Sequence, residues 1–359
     1  MSNTVLDTQI AEKLDVIRPK SFGHKVVFVD GFPGCGKTML SPIVSALERV
    51  ELLTYPFEIE YLATVYSLKK MDRSAVTALI RMYTDMRIYE ILQGRVNFRP
   101  TDISSVLNDA RPWRYIQRMF KKGDEVIPER IARERPILHL CTHRLLRNSE
   151  PIFEALGQRV VFLEVVRHPL YMIKQIYLNL ERLLDNARDF DLYIEKNGKQ
   201  LPYWAYGWED LYLKSNNMER SIYNLQDLTA TTEKAKQNVL AKNKAAIITI
   251  PFECFVINPW DYMEKITRAL ETKMVPLTYR MMKKQRVPRK MYADGVALKI
   301  YKRCGWKPPQ EGSDENKEFE SRWQEVSQKA SQEAMKVLER LCVDYEEQYL
   351  GGAKNYKKI

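Results

Sequence analysis

The chain has 359 residues, of which 45% are hydrophobic, so it is long enough to bury a large core. Its 57 basic and 46 acidic side chains give a formal net charge of +11, which favours anionic ligands such as a nucleotide. The sequence shows no C-x-x-C pair among its five cysteines, no signal-peptide core and no apolar run near the roughly 20 residues of a membrane span, so we expect a cytoplasmic protein without a zinc site or disulfide framework.

Short apolar runs in the sequence predict buried parallel strands, because such strands are covered by helices on both faces. These runs are Lys25–Asp30, Pro136–Cys141, Val160–Val166 and Ala246–Ile250, with Leu52–Tyr55 as a possible addition. Helical patterns separate them. We therefore predict an α/β fold with three layers and a mostly parallel sheet.

Helical segments complete the predicted fold as a single domain with a core at about 20–280. Residues 60–130 read as a helical insertion, and Leu79, Met82, Met86 and Tyr89 form its apolar stripe. A C-terminal helical segment is expected at about 285–350, with one long helix from roughly Asn316 to Tyr349. These boundaries place the insertion over one edge of the sheet.

A complete phosphate-binding loop follows the first predicted strand, and a helical pattern follows the loop. Its sequence is Gly31-Phe32-Pro33-Gly34-Cys35-Gly36-Lys37-Thr38. Glycines allow backbone amides to converge on a phosphate, and the helix N-terminus adds partial positive charge. We expect Lys37 to reach phosphate oxygens and to face solvent or ligand, and Thr38 to bond a phosphate or a magnesium ion. The strand, loop and helix together predict a P-loop fold.

The loop alone also fits an ATP-dependent kinase that uses magnesium. Such enzymes usually place an acidic residue at the end of a second strand. Here Glu164 lies inside a strand and Glu253 comes three residues after another, while Asp30 adjoins the loop itself. The sequence therefore predicts no metal ligand, and ATP with magnesium is the alternative donor.

Three further motifs follow the loop along the chain. Thr142-His143 closes the second strand, Arg167-His168-Pro169 closes the third, and Pro251-Phe252-Glu253 closes the fourth. The last of these precedes Asn258-Pro259-Trp260 and an amphipathic helix. In this order the loop and the three motifs resemble the nucleotide-dependent sulfotransferases, and the similarity covers about residues 25–275.

This resemblance implies sulfuryl transfer from 3′-phosphoadenosine 5′-phosphosulfate to a hydroxyl or amine. It implies that Lys37 stabilises the leaving phosphate, that His143 is the general base and that Arg167 binds the 3′-phosphate. The chain departs from the family at Gly34, where Lys or Arg is usual, and at Gln175, where a Ser is expected. The family's C-terminal basic-Gly segment has only an echo at Lys302–Lys307.

Several residues have two interpretations. His143 is either a base or a histidine that is hydrogen-bonded at a strand end, whereas we expect structural roles for His139 and His168. Arg167 fits a phosphate better than a salt bridge to Glu164 or to a neighbouring residue. Gln175 is a neutral phosphate ligand or a surface residue.

Two segments also have alternative interpretations. The aromatic run Pro202–Trp208 suits a sugar or other polyol acceptor, or simple packing. The basic run Lys283–Lys290 borders the nucleotide or binds an acidic partner, but we favour a solvated loop.

Three functions remain open at this stage. A sulfotransferase that acts on a hydroxyl- or amine-bearing acceptor, possibly a sugar, is our prediction. An ATP-dependent small-molecule kinase and a non-catalytic nucleotide-binding protein are the alternatives. We expect a nucleotide in the phosphate loop, with contacts from Gly31, Pro33, Gly34, Cys35, Gly36, Lys37, Thr38, Arg167 and Gln175. We expect no nucleic-acid partner, and the sequence does not predict the oligomeric state.

Overall fold

A computed structural model describes residues 14–184, 186–187, 189–242, 246–291 and 314–352. Its centre is a parallel four-stranded sheet built from β1 (Lys25–Asp30), β2 (Ile137–Cys141), β3 (Val160–Val166) and β6 (Ala246–Pro251), in the order β2-β1-β3-β6. A separate antiparallel hairpin pairs β4 (Tyr193–Lys196) with β5 (Lys199–Pro202). The predicted mixed α/β fold with a parallel sheet is confirmed, and its four strands lie within one residue of their predicted limits.

The central strand explains why the sheet forms. Val26, Val27, Phe28 and Val29 are fully buried, and their side chains alternate between the two faces. Val27 and Val29 belong to one hydrophobic cluster, whereas Val26 and Phe28 belong to the other. Because both faces of β1 are covered, the strand reads as a continuous apolar run.

Helices cover both faces of this sheet. In the described part of the chain they are α1 (Lys37–Ser45), α2 (Phe57–Ser67), α3 (Arg73–Gln93), α4 (Pro112–Arg118), α5 (Ile127–Glu134), α6 (Glu150–Leu156), α7 (Pro169–Leu183), α8 (Glu209–Lys214), α9 (Asn217–Lys242), α10 (Phe252–Ile257), α11 (Trp260–Leu270), α12 (Pro276–Lys284), α13 (Glu315–Ser327) and α14 (Gln332–Tyr349).

The predicted apolar stripe of the insertion is wrong. On α3 the buried side chains include Val76, Ile80 and Ile88, whereas Met82 and Met86 are 44% and 41% exposed. The helix carries apolar residues on more than one face. The β-branched face packs into the core, and the more flexible methionines remain outside.

The predicted long C-terminal helix is two helices. Helix α13 ends at Ser327, and α14 begins after Ser331, whose hydroxyl accepts a hydrogen bond from the amide of Ala334 at 3.4 Å. This serine cap competes with helix continuation. The possible strand Leu52–Tyr55 is also not a named strand, because only isolated bridges join Val50 to Ile137 and Thr54 to Leu140.

Three features considered in the sequence are a basic segment, a membrane span and a metal site. The basic segment Lys302–Lys307 lies outside the described residues. Within the described ranges, no helix has the length and apolar character needed to span a membrane. The same ranges contain no group of three or more His, Cys, Asp or Glu residues arranged to hold a metal ion.

Candidate active site

The phosphate loop occupies the carboxyl edge of the sheet between β1 and α1. Gly31, Gly34 and Gly36 have φ angles of 147°, 90° and 108°. A Cβ on Gly31 would lie 2.4 Å from the carbonyl oxygen of Val165, and a Cβ on Gly36 would lie 2.4 Å from the ring of Phe252. Both the left-handed backbone and the close approaches therefore require glycine at position 36.

The side chain of Lys37 turns back into this loop. It is only 4% exposed, and its Nζ donates hydrogen bonds to the carbonyl oxygen of Phe32 at 3.3 Å and to that of Gly31. The expectation that Lys37 faces solvent or ligand is therefore wrong. A buried ammonium requires acceptors, and the loop's own carbonyl groups supply them. Cys35 is also buried, and burial raises the pKa of its thiol.

Asp30 joins the phosphate loop to the end of β2. This buried carboxylate accepts hydrogen bonds from the Thr142 hydroxyl at 2.8 Å and from the amides of Leu145 and Leu146 at 3.1 and 2.8 Å. Three donors thus fix the turn that carries His143. Because Asp30 directly precedes the phosphate loop, these hydrogen bonds fix the position of the turn relative to that loop.

His143 is one-third exposed and lies between aromatic rings. Its ring centroid is 5.8 Å from that of Tyr55 and 6.2 Å from that of Phe57, in near-parallel stacks. Its Nδ1 is 3.5 Å from Oε1 of Glu60, and its backbone amide donates to Oε2 of the same carboxylate at 3.1 Å. Burial, with the charges of Lys37 and Arg144, lowers the pKa of His143 and favours the neutral imidazole.

Glu60 is a member of this site that the sequence did not reveal. It projects from α2, in the helical insertion, and its side chain is only 13% exposed. Burial, reinforced by the charge of Asp30, raises the pKa of its carboxyl well above the usual value. A single acidic residue in a helix has no local signature, so only the fold identifies it.

An open cleft of about 310 Å³ connects the phosphate loop with the His143–Glu60 pair. Phe32 and Pro33 form its loop side, and Tyr61 and Tyr203 are among its other walls. The neighbouring Arg144 extends an Nη2 atom to within 3.3 Å of both carboxylate oxygens of Asp191. The fold thus places a phosphate loop, a histidine, a carboxylate and aromatic side chains around one cavity.

Arg167 approaches the loop from the end of β3. Its Nη1 donates to the carbonyl oxygen of Gly34 at 3.1 Å, and its guanidinium carbon is 4.2 Å from the centre of the Phe252 ring. Its Nε lies 3.9 Å from Glu253, whereas Glu164 pairs with Lys236. The alternative salt bridge of Arg167 is therefore to a neighbouring carboxylate, that of Glu253, and not to Glu164.

Two further arginines approach the same aromatic rings. The Arg322 guanidinium lies 4.8 Å from the Tyr171 ring, which is also 5.5 Å from Arg167, and Arg289 lies 5.3 Å from the Phe252 ring. Burial lowers the pKa of Arg167, and the charge of Arg322 acts in the same direction. No pattern in the sequence singles out Arg322, whereas Arg289 belongs to the basic run Lys283–Lys290.

Gln175 also lies against the loop. A Cβ built on Gly34 would be 3.4 Å from both Cβ and Oε1 of Gln175. The loop, Gln175 and the three arginines therefore lie in one region of the fold. We call Arg167, Arg289 and Arg322 the arginine cluster.

The two other histidines that we expected to be structural are buried. His139 is fully buried, and its Nδ1 lies 2.9 Å from the Ser45 hydroxyl. His168 is 3% exposed, with Nε2 3.1 Å from a carboxylate oxygen of Glu346 on α14. These contacts join His139 to α1 and His168 to α14, and neither ring lines the cleft.

The aromatic run Pro202–Trp208 has two roles. Trp204 packs in a small hydrophobic cluster with Tyr212, and its Nε1 donates to Asp191 at 3.0 Å. Tyr203 lines the cleft, whereas Tyr206 is 58% exposed. The run is mainly a packed connection that contributes one wall of the cleft.

Comparison with known proteins found distant structural similarities only. No protein-family model and no curated protein sequence matches the chain. The sulfotransferase domain from the curacin biosynthetic pathway is 11% identical, with 85% of this chain and 98% of that chain covered and a TM-score of 0.40. The sulfotransferase domain from the Synechococcus PCC 7002 olefin synthase is also 11% identical, with 83% and 100% covered and a TM-score of 0.37.

A third solved structure, the sulfotransferase STF9 from Mycobacterium avium, is 10% identical. It covers 81% of this chain and 79% of its own, with a TM-score of 0.38. At these identities and TM-scores the similarities carry no functional argument, so any assignment depends on the geometry of the site itself.

Proposed function

We propose that the protein transfers a sulfuryl group from 3′-phosphoadenosine 5′-phosphosulfate to a hydroxyl or amine. One observation carries this proposal. Phe32 and Pro33 of the phosphate loop form a wall of the cleft that contains His143 and Glu60. Arg167 contacts the same loop at Gly34, and Arg289 and Arg322 approach the aromatic rings that Arg167 also contacts. The donor carries phosphates at two positions, which the loop and the arginines would bind, and the acceptor would bind in the cleft.

The loop and the arginine cluster fit the two phosphates of this donor. Backbone amides at the N-terminus of α1 suit the 5′-phosphosulfate, and guanidinium groups suit a dianionic 3′-phosphate. The close approaches at Gly36 and Gly31 leave room for backbone but not for a side chain. Lys37 would exchange its carbonyl contacts for the 5′-phosphate oxygen on which negative charge develops when the sulfur–oxygen bond breaks.

The cleft side of the loop fits the acceptor. A neutral His143 can take the proton as the acceptor oxygen or nitrogen bonds to sulfur, and the Glu60 carboxyl lies beside the ring that receives it. The S–O bond to the 5′-phosphate breaks in the same transfer, and adenosine 3′,5′-bisphosphate leaves with the charge. The aromatic wall at Tyr61 and Tyr203 and the carboxylate of Asp191 favour a polyol such as a sugar as acceptor.

The intact Gly36-Lys37-Thr38 sequence at the start of α1 favours a kinase as the second candidate. Asp30, the carboxylate next to the loop, already accepts three hydrogen bonds. Recruitment of Asp30 to a magnesium ion would leave buried donors without partners, which is costly. This contact set favours the donor that needs no metal.

Ligand-dependent melting temperatures separate these two functions, since a ligand that binds the native state stabilises it. Adenosine 3′,5′-bisphosphate should raise the melting temperature without magnesium. Stabilisation by ATP with magnesium alone would instead favour the kinase. Activity would then be measured as transfer of labelled sulfate to a panel of sugars and amines.

A further inference from the structure

Arg144 follows His143 in the turn after β2, and its backbone is strained. Its φ angle is 61°, in the left-handed region that costs free energy for a residue with a side chain. The amides of the next two residues, Leu145 and Leu146, donate to the carboxylate of Asp30 and hold the turn in this shape. Strained backbone is often found at functional sites, so the side chain at this position is a candidate for a function.

The guanidinium group of Arg144 is mostly buried and is held by an aspartate. The side chain is 13% exposed, and Nη2 lies 3.3 Å from both carboxylate oxygens of Asp191. Asp191 is fixed in turn, because it accepts a hydrogen bond from Nε1 of Trp204 at 3.0 Å. The Nε of Arg144 is buried and has no hydrogen-bond partner among the residues that the structure describes. A buried N–H without an acceptor is costly, so this group fits a ligand that supplies one.

Arg144 stands between two cavities. It lines the cleft of about 310 Å³ that contains His143 and Glu60. It also lines a cavity of about 130 Å³ whose walls include Gly31 of the phosphate loop and Arg167. The first cavity is the proposed acceptor site, and the second adjoins residues of the proposed donor site. Arg144 therefore lies where a group would pass from donor to acceptor.

Arg144 and Lys37 place two positive charges close to the His143–Glu60 pair. Burial lowers the pKa of His143, and the charges of Lys37 and Arg144 lower it further. The same two charges oppose the rise that burial causes in the pKa of Glu60. Because such effects weaken with distance, both cations lie near this part of the cleft, one on the loop side and one on the β2 side.

We propose that Arg144 binds the sulfuryl group while it is transferred, an inference that rests on the proposed function. The acceptor oxygen or nitrogen bonds to sulfur, the S–O bond to the 5′-phosphate breaks, and the acceptor proton goes to His143. Arg144 keeps its own protons throughout, and its Nε donates to a non-bridging sulfuryl oxygen. Hydrogen bonds from a charged donor to an anionic oxygen are strong, and donors fixed in advance stabilise a transition state.

Turnover and bisphosphate affinity of two Arg144 variants test this inference. Turnover is measured as transfer of labelled sulfate to the panel of sugars and amines. Arg144→Gln removes the charge, and we expect turnover to fall roughly 10²-fold, the usual effect of removing one such donor. Adenosine 3′,5′-bisphosphate carries no sulfuryl group, so its affinity should be the same for this variant as for the native chain. Arg144→Lys keeps the charge and should recover part of the turnover.

Arg147 provides the matched control three residues later. Its side chain is also 13% exposed, and its Nη1 lies 2.9 Å from Oδ2 of Asp227. It lines a different cavity, with walls at Tyr66 and Phe153. Arg147→Gln should therefore keep native turnover, although it breaks a comparable ion pair. The melting temperature of each variant shows whether the substitution disturbs the fold.

The outcomes separate this inference from the proposed function. Lower turnover of Arg144→Gln at native bisphosphate affinity supports it. Native turnover of Arg144→Gln, an equal fall in turnover and bisphosphate affinity, or an equal loss of turnover in Arg147→Gln overturns it, while the transferase function stands. If Arg144→Gln does not fold, the same comparison in Arg144→Lys decides. A native chain that binds the bisphosphate but transfers no sulfuryl group would overturn the proposed function, and this inference with it.

Discussion

His143 and Glu60 approach each other from opposite parts of the fold, with Nδ1 of the histidine 3.5 Å from Oε1 of the glutamate. The histidine follows β2, and the glutamate belongs to a helix of the insertion. Burial lowers the pKa of the histidine and raises that of the glutamate. Groups with opposed pKa shifts in one cleft are candidates for proton transfer.

Substitution of His143 tests this pair directly. We expect His143→Ala to lower turnover by about 10²–10⁴-fold, since that is the usual effect of removing a general base. Donor binding should change little, because the ring contacts no loop backbone in the described hydrogen bonds. Turnover and bisphosphate affinity are measured side by side. A variant with native turnover would show that His143 has only a structural role.

Substitution of Lys37 should have two separable effects. Lys37→Ala removes the cation that would face the 5′-phosphate, so donor binding should be lost. It also leaves the carbonyl groups of Gly31 and Phe32 without this donor, at a cost of about 1 kcal/mol in the free energy of unfolding. Calorimetric titration and urea unfolding measure the two effects. Native affinity for every nucleotide tested would contradict the phosphate-loop assignment.

Glycine substitutions distinguish close contact from backbone strain. Gly36 and Gly207 have similar φ angles of 108° and 97°, but only at Gly36 would a Cβ meet another side chain within 4 Å. Gly207→Ala should cost about 1–2 kcal/mol from the left-handed backbone alone. Gly36→Ala should cost more, since Phe252 must move, and should also abolish donor binding. Equal losses of stability in the two variants would rule out the contact with Phe252 as a cause.

Buried His139 predicts acid sensitivity of folding. Burial lowers the pKa of His139 to about 3 from 6.5, so the unfolded chain binds a proton that the folded chain does not between these values. This contribution to stability is complete above pH 6.5 and falls by about 1.4 kcal/mol per pH unit towards pH 3. His139→Gln should therefore flatten the dependence of unfolding free energy on pH. An unchanged slope would mean that His139 is protonated in the folded protein.

The sheet could be predicted from sequence because each buried strand is a short run of consecutive apolar residues. Runs such as Val26–Val29 are apolar on both faces, a pattern that few other structures share. The phosphate loop is equally local, because its glycines, Lys37 and Thr38 are consecutive. The direction of the Lys37 side chain was not predictable, since it depends on carbonyl groups placed by the folded loop.

The rest of the site depends on contacts between distant segments. Glu60, Arg289 and Arg322 come from α2, the segment after α12, and α13. Glu60 and Arg322 are ordinary charged residues in their local sequence, and Arg289 stands out only as part of the basic run Lys283–Lys290. Tertiary packing decides where each of them lies. The incorrect stripe on α3 has a related origin, because packing selected Val76, Ile80 and Ile88 over an alternative apolar face that includes Met82 and Met86.

The arginine cluster provides the most direct test of the proposed donor site. Calorimetric titration without divalent metal would compare adenosine 3′,5′-bisphosphate with adenosine 5′-monophosphate, for the native chain and for Arg167→Ala. We expect the native chain to prefer the bisphosphate by roughly tenfold or more, since a charged hydrogen bond contributes about 1.5–3 kcal/mol, and the variant to lose most of that preference. Equal affinity of the native chain for both nucleotides, or a preference that survives in Arg167→Ala, would contradict the proposed donor site.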